Sequence, residues 1–305
     1  MDYLTYINST YPIRRTEQQK EEFRDYVKTT TKRLGYKVNV ETLKNKHNNI
    51  VIGDPSTARL IITAHYDTPA TSIIPNLMLP RNKALGFLYH FGFPILLALI
   101  SVLIAFIIGG LLNLPYEVII ILYLVIYFAS YYLGTRTFIN KNNKNYNTSG
   151  VATVLNILEK NQGKDIAAIL FDNEEKGLLG SKAYNEKHKD ELRKKLVLNF
   201  DCVGLGDNII FIVKNDAEKL NEYKIIKENF KEDKVFKVHH FPLKGSSGNS
   251  DYKSFKCGVG VMACLKHKTI GFYTSRIHTN EDTLAYTENI DYITNQVTEG
   301  INKLS

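Results

Sequence analysis

Six acidic or imidazole side chains lie at or near the ends of short apolar stretches of the chain. They are His65, Asp67, Glu174, Glu175, Asp201 and His278. In an open α/β sheet, ligands bind beyond the carboxyl ends of the strands, and a mixed set of imidazoles and carboxylates at that edge suits zinc. Each residue alone is a weak signal, but their order, spacing and flanking glycines together predict a metal centre with acid–base chemistry.

The elements that must position these residues alternate along the chain. Strand-like runs are predicted at 36–42, 49–52, 60–64, 166–171, 196–200, 208–213 and 259–264, and helices at 16–35, 149–159, 177–188, 217–230 and 290–304. The first helix opens with a capping box formed by Thr16 and Gln19. Continuous apolar strands separated by helices indicate an α/β fold with a mostly parallel central sheet flanked by helices.

A long apolar block interrupts this alternation. Between Ala84 and Thr135 the only charged residue is Glu117, and the block divides into two halves, 85–112 and 118–133, each apolar on every face. A bilayer core needs about 20 apolar residues per helix. The alternative is a buried helical pair, but a soluble domain of this size has no room to bury two such helices on all sides. The sequence therefore predicts an inserted two-helix transmembrane hairpin at 84–135, between domain parts 1–83 and 136–305.

Positive residues flank the hairpin on one side only. Arg81 and Lys83 precede it, Arg136, Lys141 and Lys144 follow it, and the connecting turn has no Lys or Arg. Because positive residues stay on the cytoplasmic side, we expect a multi-pass protein of the cell membrane, with both termini and the soluble domain cytoplasmic. Three cysteines without metal-site spacing and a polar N-terminus agree with a reducing compartment.

The net charge of +8 is compatible with nucleic-acid or acidic-membrane partners. No stripe of Lys and Arg interleaved with aromatic residues is present, so we expect no nucleic-acid partner. The expected partner is the lipid bilayer, contacted through residues 84–135. A transporter is disfavoured, because two helices carry no polar pathway except His90.

Five segments resemble a known enzyme family. They are His-Tyr-Asp at 65–67, Ser-Gly-Val-Ala at 149–152, the stretch 172–181, Ser-Asp at 250–251, and 278–283. In these segments the chain resembles the co-catalytic zinc aminopeptidases that include bacterial leucyl aminopeptidase and aminopeptidase Y, with glutaminyl cyclases as relatives. The resemblance runs from about residue 59 to the C-terminus, interrupted by the hairpin. It implies a zinc aminopeptidase-like fold, one or two zinc ions and a peptide substrate.

The resemblance also implies a role for each of the six residues. The implied metal ligands form two pairs, His65 with Asp201 for one zinc ion and Glu175 with His278 for the other. Asp67 would orient the imidazole of His65 as a carboxylate behind the ligand. Glu174 would be the general base that activates the attacking water and later returns the proton to the leaving amine.

The chain departs from the family at the bridging metal ligand. The family has an aspartate four residues before the glycine of its Asp-Asn-x-Ser-Gly motif, and this chain has Tyr146 there, with no Asp or Glu between 118 and 158. Without a bridging carboxylate each ion keeps two protein ligands, fewer than the usual three.

Three outcomes follow from this departure: an active enzyme with a substitute ligand, a one-ion site with a narrower reaction such as a cyclase-like one, or a degenerate site. The favoured prediction is a membrane-anchored zinc-dependent exopeptidase that hydrolyses N-terminal peptide bonds. The alternative is a catalytically degenerate peptidase-like domain that binds peptides or proteins at the membrane.

Overall fold

The computed structural model describes residues 1–73, 76–135 and 138–304. Arg136, counted above among the flanking cations, lies outside the described residues, as does the predicted boundary at 136. The helices are α1 Tyr3–Thr10, α2 Glu17–Arg33, α3 Lys83–Leu111, α4 Tyr116–Thr135, α5 Gly150–Lys160, α6 Leu179–Lys187, α7 Lys189–Leu192, α8 Asn215–Glu218, α9 Asn221–Asn229 and α10 Thr287–Leu304. The strands are β1 Val38–Leu43, β2 His47–Ile52, β3 Leu60–His65, β4 Ala70–Thr71, β5 Asn76–Met78, β6 Phe138–Ile139, β7 Ile166–Phe171, β8 Leu196–Phe200, β9 Asn208–Val213, β10 Lys237–Pro242, β11 Gly258–His267 and β12 Gly271–Ile277.

Ten of the strands described form one large mixed sheet, and β4 and β6 form a separate two-stranded one; this confirms the predicted α/β class. At its centre β7, β3, β8 and β11 run parallel, as the apolar runs predict. The outer pairs β1–β2, β2–β7, β11–β9 and β11–β12 are antiparallel. Two of these pairs are joined by only three residues, at 44–46 and 268–270. A parallel crossover needs a dozen or more residues, so these two pairs must be antiparallel. The sheet is therefore mixed, with parallel pairs at the centre and at the β9–β10 edge.

Helices cover both faces of this sheet because the strands alternate their side chains between two cores. In β3, Leu60 and Ile62 pack with α1, α2, α5, α9 and α10, whereas Ile61 packs with α6 and α7. The predicted helix at 217–230 is wrong in one respect. It is split into α8 and α9 at Leu220, which is extended and packs against the first core. The predictions did not include α1, β10 or β12.

The apolar block forms two helices, α3 and α4, that are long and apolar enough to cross a membrane. Few of their residues are buried against the described parts of the protein, so the alternative of a buried helical pair is wrong. The helices pack on each other through small residues of α3, Ser101, Ala105 and Gly109, which are buried. Close packing through small residues is typical of helices in membranes.

Both ends of the hairpin are tied to the α/β domain. Before α3, the guanidinium of Arg81 lies 4.4 Å from the ring centroid of Phe241 and donates to Ser246 Oγ at 3.1 Å. In the last turn of α4, the carbonyl of Gly134 accepts a hydrogen bond from the amide of Ile73 at 2.8 Å. The hairpin is therefore fastened beside the carboxyl edge of the sheet, where β3 ends.

Candidate metal centre

The structure brings all six candidate residues together at the carboxyl edge of the parallel strands. His65 is the last residue of β3, and His278 directly follows β12. Glu174 and Glu175 follow β7 by three and four residues, and Asp201 directly follows β8. Adjacent parallel strands end at the same edge of the sheet, so His65, both glutamates and Asp201 meet there. His278 reaches this edge because β12 runs back antiparallel along the part of β11 that extends beyond β8.

Four donor atoms of these residues form two close pairs. His65 Nε2 lies 4.0 Å from Asp201 Oδ1, and His278 Nε2 lies 3.4 Å from Glu175 Oε1. All four atoms are buried and have no hydrogen-bond partner among the described residues. Two ligands of one tetrahedral zinc ion stand about 3.3 Å apart, given bond lengths near 2.05 Å. The chemistry of all four atoms fits zinc. The separation of His278 and Glu175 matches this value, whereas His65 and Asp201 stand farther apart.

No group of three or more His, Cys, Asp or Glu side chains forms a single metal-binding cluster within the part of the chain that the structure describes. The gap between the two pairs is filled by Tyr146. Its ring centroid lies 4.9 Å from that of His65 and 4.6 Å from that of His278, so the tyrosine stands between the two imidazoles.

Tyr146 is also bonded to the candidate general base. Its hydroxyl donates to Glu174 Oε2 at 2.9 Å, and both side chains are buried. The backbone on either side is held by Asp282, whose two carboxylate oxygens accept from the amides of Asn145 at 3.0 Å and Tyr146 at 2.9 Å. The position of this tyrosine is therefore fixed both from its backbone and from its hydroxyl.

Asp67 supports the centre in two ways. Its carboxylate accepts hydrogen bonds from the backbone amides of Glu174 at 3.0 Å and Glu175 at 3.1 Å. The Nδ1 atom of His65 lies 3.2 Å from the carbonyl oxygen of Asp67 and 3.5 Å from its carboxylate. A proton on Nδ1 donated to this residue leaves the lone pair on Nε2, which is the form that binds metal.

The loop that carries the two glutamates is anchored to α2 by a buried ion pair. Lys20 Nζ lies 2.6 Å from Asp172 Oδ1 and 2.9 Å from Asn173 Oδ1. Both charged side chains are almost fully removed from solvent. The pair fixes where the chain leaves β7 and so positions Glu174 and Glu175.

The charges of the centre are unbalanced. Burial raises the pKa of Glu174 well above its usual range, although the imidazole of His65 partly offsets it. Burial and the Asp67 carboxylate raise the pKa of Glu175 to about 8. Burial lowers the pKa of His278 to about 3. In contrast, the carboxylates around His65, Glu174 first, outweigh its burial and raise its pKa well above the usual value. A buried excess of carboxylates is an environment that favours a bound cation.

The sequence profile of peptidase family M28 matches residues 145–299, half of the chain. The chain belongs to peptidase family M28. The matched segment includes Tyr146, both glutamates, Asp201 and His278. Membership of a peptidase family implies peptide substrates and supports an exopeptidase-like function that uses zinc.

Solved structures confirm the zinc aminopeptidase-like fold of this M28 chain. The structure is similar to a Zn-dependent exopeptidase from Parabacteroides distasonis (14% identity, 98% of this chain and 96% of that one, TM-score 0.61). It is also similar to Porphyromonas gingivalis glutaminyl cyclase (14%, 100% and 98%, 0.59) and to Legionella pneumophila LapA aminopeptidase (15%, 99% and 70%, 0.58). At these identities the similarity shows the fold alone. No curated protein matches the chain.

Two cavities of this M28 domain meet the hairpin. The larger, of about 610 Å³, is lined by Glu174, Glu175 and His278 and by the first turns of α3, including Phe87. The smaller, of about 240 Å³, is lined by Asp67, Glu175 and His278 together with Tyr131 and Thr135 of α4. Both helices therefore reach the metal centre.

Three features of the centre were beyond sequence reasoning. The segment Ser250–Asp251 carried a resemblance but no assigned role. In the structure Asp251 is buried, neither of its oxygens has a hydrogen-bond partner among the described residues, and burial raises its pKa to about 7. Sequence spacing also gave no signal for the bond from Tyr146 to Glu174, or for the cavity wall formed by α3.

Proposed function

We propose that this M28 chain is a membrane-anchored zinc-dependent exopeptidase that removes N-terminal residues from peptides. The observation that carries the proposal is the set of four buried nitrogen and oxygen atoms that have no hydrogen-bond partner among the described residues. They form two pairs beside the buried carboxyl group of Glu174, and the pair of Glu175 and His278 has the spacing of zinc ligands. In this proposal His65 and Asp201 hold zinc on one side of Tyr146, and Glu175 and His278 hold it on the other.

Each residue has a distinct part in the proposed reaction. Zinc, when bound, supplies Lewis-acid polarisation of the peptide carbonyl and makes water nucleophilic near neutral pH. Glu174 takes the proton from the attacking water through one carboxylate oxygen and later gives it to the leaving amine. Tyr146 holds the other oxygen of Glu174 at 2.9 Å and so orients the base. Asp67 fixes the glutamate backbone and the tautomer of His65.

The membrane part of the proposal rests on α3 and α4. Twenty residues of α4 rise about 30 Å, which equals the thickness of a bilayer core. Its exposed side chains are large and apolar, among them Leu124, Phe128 and Leu133. Exposed apolar surface on this scale is unstable in water. We therefore place residues 84–135 in the membrane, with the α/β domain and both termini on the cytoplasmic side.

A second function is favoured by Tyr146. A ring between the two imidazoles occupies the region in which a bridging carboxylate would meet both ions. If this prevents catalysis, the domain serves as a membrane-attached module that binds peptides or proteins. The two functions differ in zinc content and in turnover.

The test uses full-length protein in detergent and compares the wild type, Glu174→Gln, and the double variant Glu175→Ala/His278→Ala. We expect zinc, measured per chain by elemental analysis, in the wild type and in Glu174→Gln, and less in the double variant. Release of the N-terminal residue from a peptide should fall about 10²- to 10⁴-fold in Glu174→Gln, because a general base contributes that factor. No zinc after zinc is supplied, together with no cleavage, would overturn the enzyme in favour of the binding module.

A further inference from the structure

The larger cavity joins the metal centre to the first helix of the hairpin. Its volume is about 610 Å³. One end is buried, because Tyr146 and Glu174 are each only 6% exposed. The other end is open, because Phe87 and Phe91 are 64% and 54% exposed. The wall at the open end comes from α3 and includes Lys83, Gly86, Phe87, His90 and Phe91.

An exopeptidase with this cavity can take its substrate in only one direction. The free N-terminus must lie at the buried end, beside Glu174, where the bond is cut. The remainder of the peptide then leaves through the open end, where α3 forms one wall and the segment 246–249 another. Phe87 and Phe91 stack on each other there, with ring centroids 4.3 Å apart. The residues behind the N-terminus therefore meet a continuous aromatic surface.

The lengths of the two helices place this wall at the surface of the membrane. α3 has 29 residues and α4 has 20, a difference of nine. The short turn keeps the end of α3 level with the start of α4. The nine additional residues of α3 therefore lie at its start. Nine residues rise about 13 Å, enough to pass through a headgroup layer of about 5–8 Å. Residues 83–91, which include the cavity wall, are this excess.

We propose that the substrates of this site are peptides that lie in the headgroup layer of the membrane and have apolar side chains behind the N-terminal residue. Those side chains pack on Phe87 and Phe91 while the N-terminus lies beside Glu174. The inserted helix is then a specificity-determining part of the site as well as an anchor. This inference rests on the proposed exopeptidase function, because it uses the direction in which such an enzyme takes a peptide.

The test measures equilibrium binding in the Glu174→Gln background, so that the probe is not consumed. The probes are two dansyl-labelled peptides, Leu-Ala-Leu-Leu-Lys and Leu-Ala-Ser-Ser-Lys, which share the N-terminal residue and differ only behind it. The full-length protein is held in nanodiscs of zwitterionic phospholipid. We expect the apolar peptide to bind about tenfold more tightly or better, since burial of two leucine side chains is lost in the serine peptide.

Matched variants assign that preference to the cavity wall. Phe87→Ala/Phe91→Ala should raise the Kd of the apolar peptide about tenfold and leave that of the serine peptide unchanged. The control is Phe106→Ala/Phe128→Ala, which changes two phenylalanines of the hairpin that are 53% and 63% exposed and do not line the cavity. We expect the control to bind both peptides with the same Kd values as the protein with an unchanged hairpin. Equal zinc content in all variants shows that the metal centre is intact.

Two results would overturn the inference. One is equal affinity for the two peptides, or no binding of the apolar one. The other is a preference that survives Phe87→Ala/Phe91→Ala, which would assign it to partition into lipid. Neither depends on turnover, so failure of the wild type to cleave peptides would count against the proposed function separately. Normal cleavage without a preference would contradict only the role of α3.

Discussion

Tyr146 is the residue that distinguishes this centre from the family that the sequence resembles. A carboxylate at this position could serve both ions, whereas a neutral phenol supplies no negative charge. Burial and the nearby Glu174 carboxylate raise the pKa of the Tyr146 hydroxyl well above its usual value. The tyrosine therefore separates the two ligand pairs and donates a hydrogen bond to the candidate base Glu174, which keeps the base oriented. In exchange, the site lacks a carboxylate that could bridge two ions.

Replacing this residue tests that interpretation directly. We expect Tyr146→Asp to raise the zinc content, measured per chain by elemental analysis, from below two towards two. The substitution removes the ring between the imidazoles of His65 and His278 and supplies an anionic ligand. The bonds from Asp282 to the Asn145 and Tyr146 amides do not depend on the side chain, so the new carboxylate starts from the same backbone.

Tyr146→Phe is the control, because it keeps the ring and removes the hydroxyl. Its zinc content should equal that of the wild type. Its peptide cleavage should fall several-fold, since one hydrogen bond to Glu174 contributes about 0.5–1.5 kcal/mol. The interpretation is wrong if Tyr146→Asp binds no more zinc than Tyr146→Phe.

The composition of the centre could be predicted from sequence, but its internal contacts could not. His65, Glu175 and Asp201 lie at or just after the ends of parallel strands, and these ends meet at one edge whatever the detailed packing. His278 follows an antiparallel strand, and the return of β12 along β11 brings it to that edge. The direction of each side chain is decided by its neighbours instead. The carboxylate of Asp67 accepts hydrogen bonds from two backbone amides because of the path of the loop after β7. The spacing of residues in the sequence does not specify that path.

At the scale of elements, the burial of each strand explains whether its sequence predicted it. The central strands β3, β7 and β8 are buried on both faces and read as continuous apolar runs. The strand β10 lies at the edge of the sheet, contains two adjacent histidines and has no fully buried residue, so its sequence has no period that distinguishes it from a loop. The order of the chain places the hairpin between His65 and Tyr146 and so predicts that it lies near the site. That α3 lines the cavity depends on how Arg81 fastens the hairpin to the domain, which the sequence does not specify.

The contact between α3 and α4 can be tested by adding one methyl group to a glycine at the interface. A Cβ built on Gly109 would lie 2.4 Å from Ile119 Cγ1, whereas a Cβ on the adjacent Gly110 meets nothing within 4 Å. Isoleucine is held in one rotamer in a helix and cannot easily move aside. We expect Gly109→Ala to lower the stability of the protein in detergent by about 1–3 kcal/mol, measured as a lower Tm.

Gly110→Ala is the matched control, since both changes give the helix the same gain in propensity, about 1 kcal/mol at most. Its Tm should be equal to that of the wild type or higher. If the two variants have the same Tm, the close contact between Gly109 and Ile119 does not hold the hairpin together.

At the scale of the whole molecule, the hairpin divides the charges of the chain. Arg81 and Lys83 precede it and Lys141 and Lys144 follow it, all on the side of the α/β domain. The turn on the far side has no cation and is followed by Glu117. In the proposed orientation the positive residues are retained in the cytoplasm, and only the turn at 112–115 crosses the membrane. The candidate metal centre would then face the cytoplasmic surface, and peptides would reach it from that side.

Cysteine labelling of intact cells measures this orientation. The three native cysteines are buried, so the natural chain should resist a membrane-impermeant maleimide. We expect Asn113→Cys, in the exposed turn, to be labelled on intact cells, because the turn lies outside. Gln162→Cys, exposed on the α/β domain, should be labelled only after lysis. Labelling of Gln162→Cys but not Asn113→Cys on intact cells would reverse the orientation. If Asn113→Cys is not labelled on intact cells and is still not labelled after the cells are lysed without detergent, the turn never leaves the bilayer. The hairpin would then lie within one leaflet.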